Sequence, residues 1–267
     1  MARIVIVTTD EPFYLPVTIQ RLLETHAGPD IKKIVLLPPT AKKRTWKTLM
    51  AEQLGFGYIY FLYRGVQYVA FKVLSRLNLK LFGRYYSVDA VARAYGVPLS
   101  RIENINSAEA VEEIRADAPD LIVSLSASQI FSRRVIRIAR WATINVHNAP
   151  LPRYQGMLPS FWVLYHGERE TATTVHLMDE TIDTGDIVVQ MRVEISEDET
   201  LDSLIRKTKL LTVDALLEAF RLFSEHGGEP PTRPNPPEEA TYFSFPKKED
   251  IRRFRESGRK VLWKGIY

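Results

Sequence analysis

Three neighbouring stretches decide the fold: Arg3-Ile4-Val5-Ile6-Val7-Thr8, then Val17-Thr18-Ile19-Gln20-Arg21-Leu22-Leu23-Glu24-Thr25-His26, then Ile31-Lys32-Lys33-Ile34-Val35-Leu36-Leu37. The first and third are short runs rich in β-branched residues, and the second carries Val17, Ile19, Leu22 and Leu23 at helical spacing. Strand, helix and strand within about forty residues read as a βαβ unit, the opening of a parallel α/β sheet.

Further along the chain, Ser107 precedes Ala-Glu-Ala-Val-Glu-Glu-Ile-Arg-Ala, which has the form of a capping box opening a helix over 108–116. Pro119 ends that helix, and Leu121 to Ser124 resumes the sheet. Ser132 to Arg140 reads as a short basic helix, Ala142 to Val146 as a strand, and Pro159 to His166 as a helix with proline in its first turn. Thr173 to Met178 and Ile187 to Ile195 alternate as strands, and Leu201 to Phe223 is a long amphipathic helix. Gly227 to Pro237 shifts to glycine, glutamate and five prolines, the composition of a linker.

Composition narrows the function classes. The 267 residues are 45% hydrophobic and 25% charged, a globular balance with material for one substantial core. The absence of cysteine removes disulfides, thiolate nucleophiles and Cys-based metal sites together. The start, Met-Ala-Arg-Ile-Val-Ile-Val, lacks the pattern of a secretory leader, and no run of apolar residues is long enough to span a bilayer. The expected location is therefore cytoplasmic.

The net charge is +4, with a pI near 9.1, and it is unevenly spread. Between Ala41 and Ser100, ten Lys and Arg residues stand against Glu52 and Asp89, a local +8 that leaves −4 elsewhere. Residues 41–98 break the βαβ rhythm and read as a helical insertion. Within it, Arg64, Lys72, Arg76, Lys80 and Arg84 recur in steps of four or eight among aromatic residues, with Val69, Val73, Leu74, Leu77 and Leu81 opposed to them. Three outcomes are expected, in this order: the apolar side packs on the parent domain, residues 55–83 lie on an anionic membrane surface, peripheral to its inner face, or the segment contacts nucleic acid.

The chemistry gathers at Ile144-Asn145-Val146-His147-Asn148-Ala149-Pro150-Leu151-Pro152, which runs off a strand into a Pro-rich loop. In an open α/β sheet, ligands bind at the carboxyl ends of the strands. Asn145 and His147 are two apart, so an extended chain puts both on one face. An amide donor beside an imidazole suits acyl transfer to an amine, where one stabilises an oxyanion and the other manages protons. Downstream, Asp179-Glu180-Thr181-Ile182-Asp183-Thr184-Gly185-Asp186 is an acidic turn whose carboxylate can orient an imidazole. His176 reads as a packed or hydrogen-bonded histidine rather than a ligand, His166 as lying at a helix end, and His26 and His226 as loop residues. A zinc site from His147, His166, His176 and Asp183 lacks any metal-ligand spacing, and no metal is expected.

Asn145-Val146-His147, then Pro150-Leu151-Pro152-Arg153-Tyr154-Gln155-Gly156, then Pro159, Trp162 and Gly167, and finally Asp183-Thr184-Gly185-Asp186-Ile187 resemble the folate-dependent formyltransferase family. The likeness is close over 121–190 and looser over the N-terminal βαβ unit. It implies a Rossmann-like α/β formyltransferase fold with a mostly parallel sheet, a catalytic domain over 1–225, and a linker with a short extension over 226–267. It implies 10-formyltetrahydrofolate as formyl donor, Asn145 on the formyl oxygen, His147 as proton-transfer group and Asp183 orienting it. It further implies pterin-binding edges at Ser126, Gln129, Ile130 and Phe131 and at Asp179, Glu180 and Ile182, and a signature loop including Leu151, Pro152 and Gly156.

Within that family, Thr8-Thr9-Asp10-Glu11-Pro12-Phe13 departs from the Gly-rich phosphate loop of the glycinamide ribonucleotide enzymes, and only about forty residues follow the long helix where the tRNA enzymes carry a barrel. Pro159-Ser160-Phe161-Trp162 and Tyr165-His166-Gly167-Glu168 are more similar to the sugar N-formyltransferases. The expected acceptor is the amine of a nucleotide- or lipid-linked amino sugar used in polysaccharide assembly. DNA is not expected as a partner, tRNA is disfavoured, and a homodimer is compatible. The alternatives are a methionyl-tRNA formyltransferase-like enzyme, a formyltetrahydrofolate deformylase, and a non-catalytic folate or sugar-nucleotide binding module.

Overall fold

Successive side chains of a strand go to opposite faces, and a strand covered on both faces must be apolar throughout. Ile4 to Val7 meets that condition, and Thr8, also buried, satisfies its hydroxyl by donating to Leu125 O at 2.7 Å. The computed structural model describes residues 2–39, 50 and 54–262. Its described elements are β1 (Ile4–Thr9), α1 (Leu15–Leu23), β2 (Ile31–Leu37), α2 (Tyr58–Arg76), α3 (Val88–Ala94), β3 (Leu99–Arg101), α4 (Ala108–Ala116), β4 (Leu121–Leu125), α5 (Arg133–Ile136), β5 (Ala142–His147), β6 (Gln155–Gly156), α6 (Pro159–Tyr165), β7 (Glu170–Leu177), β8 (Ile187–Glu194), α7 (Leu201–Glu225), β9 (Tyr242–Phe243) and α8 (Lys248–Glu256).

The main sheet has the order β3-β2-β1-β4-β5-β7-β8. Its first five strands are mutually parallel, and β7 and β8 continue it antiparallel. Ile4 and Ile6 face a core shared with Leu15, Ile19 and Leu22 of α1 and Leu216, Phe220 and Phe223 of α7. Val5 and Val7 face the other, with Val111 and Ile114 of α4, Phe131 and Val135. The mostly parallel α/β architecture read from the sequence is the one observed.

Local chemistry explains the boundaries. The Ser107 side chain accepts the Ala110 N–H at 3.2 Å and opens α4. The third helical residue is alanine, so the expected capping box is a single cap. A true box opens α7, where Thr200 and Ser203 exchange bonds. The helix expected over 132–140 stops at Ile136. Arg140 N–H instead bonds Pro119 O at 2.9 Å and Thr143 Oγ1 bonds Ile136 O at 2.8 Å, which turns the chain into β5.

The basic helix is inverted relative to the packing expected for it. Arg64 is buried against Asp202 of α7, Lys72 reaches Asp10 at 3.5 Å, and Arg84, beyond the helix end, covers the rings of Phe71 and Tyr86. Val69, Val73, Leu77 and Leu81 are exposed, so the apolar side does not pack on the parent domain. Periodicity distinguishes two faces of a helix, and here an ion pair decided which one turned inward.

A third core gathers Phe56, Phe161, Trp162, Leu201 and Leu204 with Ile251 and Phe254 of α8. β9 pairs in parallel with β6, Trp162 Nε1 donates to Ser244 O at 3.0 Å, and Leu201 and Asp202 N–H bond Lys260 and Val261 carbonyls. The stretch after α7 thus returns to the signature loop.

Candidate active site

β5 ends at the sheet's change of direction, paired parallel to β4 and antiparallel to β7. Asn145 lies opposite His176 of β7, and His147 lies opposite Thr174. Asp183 arrives from the β7–β8 turn with a left-handed φ of 57°. Gly185 belongs to the same turn and passes so close under β7 that a Cβ there would lie 1.9 Å from Leu177 O. The Asp-Thr-Gly spacing is therefore a packing requirement of the turn that presents Asp183.

The three residues converge. Asp183 Oδ1 accepts Asn145 Nδ2–H at 3.2 Å, and Oδ2 stands 3.4 Å from His147 Nδ1. Gly156 N–H donates to Oδ2 at 2.9 Å. His147 Nε2 is 2.7 Å from Tyr154 O, an acceptor only, so that nitrogen carries the proton and Nδ1 is the basic one. His176 is held in the same way: Nδ1 donates to Leu177 O at 2.8 Å, leaving Nε2 to accept from Asn145 at 3.1 Å. Both hydrogens of the Asn145 amide are thus engaged.

Burial disfavours charge on the His147 ring and pushes its pKa below the ordinary value, with Asp183 and the Tyr154 carbonyl opposing. Burial would raise the Asp183 carboxyl, but His147, His176 and the Gly156 N–H outweigh it and hold the group down to about 2. The neutral imidazole can accept a proton through Nδ1, and the anion beside it stabilises the cation so formed. An amide donor aimed at the same place can bind an oxygen that gains negative charge.

The signature loop supplies backbone to this centre. Leu151 is buried, the Leu151–Pro152 peptide is cis, Tyr154 has positive φ, and Gly156 sits at φ 93° where a Cβ would meet Phe243 O at 2.3 Å. The two candidate pterin edges adjoin, since Arg133 just beyond the first approaches Glu180 of the second at 3.4 Å. In the first edge, Ser126 accepts from Lys209 Nζ at 2.7 Å and Gln129 braces the 103–105 turn through Ile105 N–H and Glu103 O. Ile130 is exposed, and Phe131 is part of the core. In the second, Asp179 accepts from Thr181 and Thr184, and Ile182 is exposed.

Sequence reasoning missed several contributors. His176 is the packed histidine expected, but its place against Asn145 was not, because the sequence does not show that β7 runs antiparallel beside β5. Asn235 Nδ2 bonds the carbonyls of Asp183 at 2.9 Å and Gly185 at 3.1 Å, and Gln155 Nε2 bonds Asp183 O at 3.1 Å. Glu11 fills the start of α1, accepting N–H bonds from Phe13 at 2.5 Å, Tyr14 at 3.0 Å and Leu15 at 3.2 Å. Burial pushes the Glu11 carboxyl up and the Lys209 ammonium down to about 8, each partly offset by the charge of the other. His166 lies at the end of α6 as expected, with Nδ1 2.8 Å from Trp162 O and its ring against Tyr154 and Phe243.

These groups thus stand at the carboxyl rim of a mostly parallel α/β sheet. Residues 84–220, just over half of the chain, match the family model described as Formyl transferase, and the chain belongs to that family. It is 39% identical over 166 residues to methionyl-tRNA formyltransferase of Anaeromyxobacter dehalogenans strain 2CP-C, a match covering 62% of this chain and 53% of that protein. The chain thus spans about half the length of the curated relatives it matches. In fold it is similar to the phosphoribosylglycinamide formyltransferase of Anaplasma phagocytophilum, at TM-score 0.59 and 13% identity over 91% of this chain and 98% of that one. It is also similar to the N-formyltransferase of Helicobacter canadensis solved with folinic acid and dTDP-3-aminofucose, at TM-score 0.56 and 15% identity over 99% of this chain and 85% of that one.

Proposed function

We propose that this protein moves the formyl group of 10-formyltetrahydrofolate to a primary amine, with Asn145, His147 and Asp183 as the working groups. The observation that carries the reading is the meeting of Asp183 with the Asn145 amide at 3.2 Å and the His147 ring at 3.4 Å. The amine nitrogen attacks the formyl carbon, and the carbonyl electrons move onto oxygen. Asn145 turns one N–H from His176 or Asp183 onto that oxyanion, since both hydrogens are otherwise engaged. His147 Nδ1 accepts the proton released by the new ammonium, and Asp183 stabilises the imidazolium. Collapse re-forms the carbonyl, breaks the bond from carbon to N10, and returns the proton to N10. The products are a formamide and tetrahydrofolate, with atoms and charge balanced.

Two acceptor classes follow from separate observations. Methionyl-tRNA leads, because 39% identity to an enzyme of that name is carried by this chain's own sequence. An amino sugar is the second reading, supported by the likeness of 159–168 to the sugar enzymes. An acceptor phosphate would find the amides of Phe13, Tyr14 and Leu15, which lead into α1, already taken by the Glu11 carboxylate, which disfavours a phosphate cradle there. The test is tetrahydrofolate release with 10-formyltetrahydrofolate and either methionyl-tRNA or a panel of nucleotide-linked amino sugars, with formylated product followed by mass. Release that tracks formylation of one acceptor supports that reading. Release with no amine present indicates transfer to water, and no release under any condition removes the proposal.

A further inference from the structure

Every exposed position along one side of α2 carries an apolar or uncharged residue until the helix nears its end. Ile59, Leu62, Val66, Val69, Val73 and Leu77 recur at spacings of three and four on a helix and its cap about 28 Å long, and Val66 and Val69 are 70% and 62% exposed. Beyond it, Phe82 is 97% exposed at a positive-φ turn. Contiguous apolar surface of this kind marks an interaction site rather than ordinary scatter.

The charges identify the occupant. The sequence holds no aspartate or glutamate between Gln53 and Val88. Arg76 and Lys80 are exposed at one end of the apolar stripe, and the tyrosines Tyr58 and Tyr68 also reach the surface. Apolar side chains on the outer face, cations at the rim, amphipathic rings and no anions are the features with which a helix lies in the boundary of an anionic bilayer. RNA fits less well, because phosphates need outward cations and Arg64 and Lys72 are turned inward onto Asp202 and Asp10. A second copy of this segment would offer the rim cations no carboxylate.

We propose that the outer face of α2, with the Phe82 turn, docks on an anionic lipid surface. Ile59, Leu62, Val66, Val69, Val73 and Leu77 enter the acyl boundary, and Arg76 and Lys80 meet the headgroup phosphates. This is an interfacial contact, since no described helix is long and apolar enough to cross a membrane. It does not depend on which amine is formylated.

The experiment is flotation of the full chain with vesicles of three parts phosphatidylcholine to one part phosphatidylglycerol, beside vesicles of phosphatidylcholine alone. Wild type is expected to float with the anionic vesicles, at least tenfold more than with the neutral ones and less as salt rises. The double variant Val66→Asp, Val69→Asp alters only exposed positions and is expected to lose at least tenfold of this partition while keeping the wild-type melting temperature. Absence of wild-type flotation, or equal flotation of the variant, overturns the proposal. So does a dimer in sedimentation velocity, or tRNA binding in anisotropy, that the double variant abolishes while no vesicles are bound. Formyl transfer is not read in this assay, so failure here is separate from failure of the proposed chemistry.

Discussion

A carboxyl group buried like Asp183 is ordinarily pushed toward neutrality, and this one is held down to about 2 by the groups around it. Its folded pKa lies below its ordinary value of 3.8, so the stability it contributes is present above that value and is lost as pH falls toward about 2. Each tenfold change in proton affinity is worth about 1.4 kcal/mol, which puts this contribution on the order of 2 kcal/mol. Thermal unfolding is therefore expected to show wild type losing midpoint through that acid window, while Asp183→Asn follows a flatter course. The same variant removes the anion that raises the His147 pKa, so the acid limb of kcat/KM is expected to move to lower pH in a pH-rate profile. Its kcat is expected to fall about 100- to 1,000-fold, the range for losing one charge-stabilising group. Asn145 and His147 were legible because two polar residues of matching parity end a strand. His176 was recognisable only once β7 was known to run antiparallel beside them.

At the scale of elements, the pairing of β6 with β9 holds the signature loop over the turn that carries Asp183. Gly156 is the contact point, with positive φ, no room for a Cβ and its N–H on the Asp183 carboxylate. Gly156→Val is expected to cost about 1–3 kcal/mol in denaturant unfolding. It should also let the Asp183 pKa rise toward its ordinary value, since one of the bonds to the charged form is strained. The long elements were readable from periodicity: 201–223 was expected for α7, and Leu201–Glu225 is observed. Tyr242–Phe243 and Asn235 gave no such signal. A two-residue strand has no period, and a proline-rich stretch reads as a linker even where an amide within it bonds the site.

Across the whole molecule, α2 is clamped to α7 by one buried ion pair spanning 138 residues of chain. Arg64 meets Asp202 and Tyr14 and lies over the rings of Phe13 and Tyr60, and Arg206 holds the second Asp202 oxygen at 2.8 Å. Removing one partner leaves a buried charge less well matched, so Arg64→Met is expected to destabilise the fold by about 3 kcal/mol in equilibrium unfolding. The pair also explains why the apolar side of 58–77 does not pack on the parent domain. Burial of apolar area would turn the valines inward, whereas a guanidinium desolvated against a carboxylate and the rings of Phe13, Tyr14 and Tyr60 keeps the other face in. Such a partner, so remote in sequence, leaves no local trace.

In the proposed reaction, Asn145, His147 and Asp183 act together on a carried formyl group. The most direct test is amine-dependent release of tetrahydrofolate by Asn145→Ala, with donor binding measured beside it. The prediction is a kcat lower by about 100- to 1,000-fold with donor affinity nearly unchanged. An Asn145→Ala enzyme that turns over at the wild-type rate would contradict it.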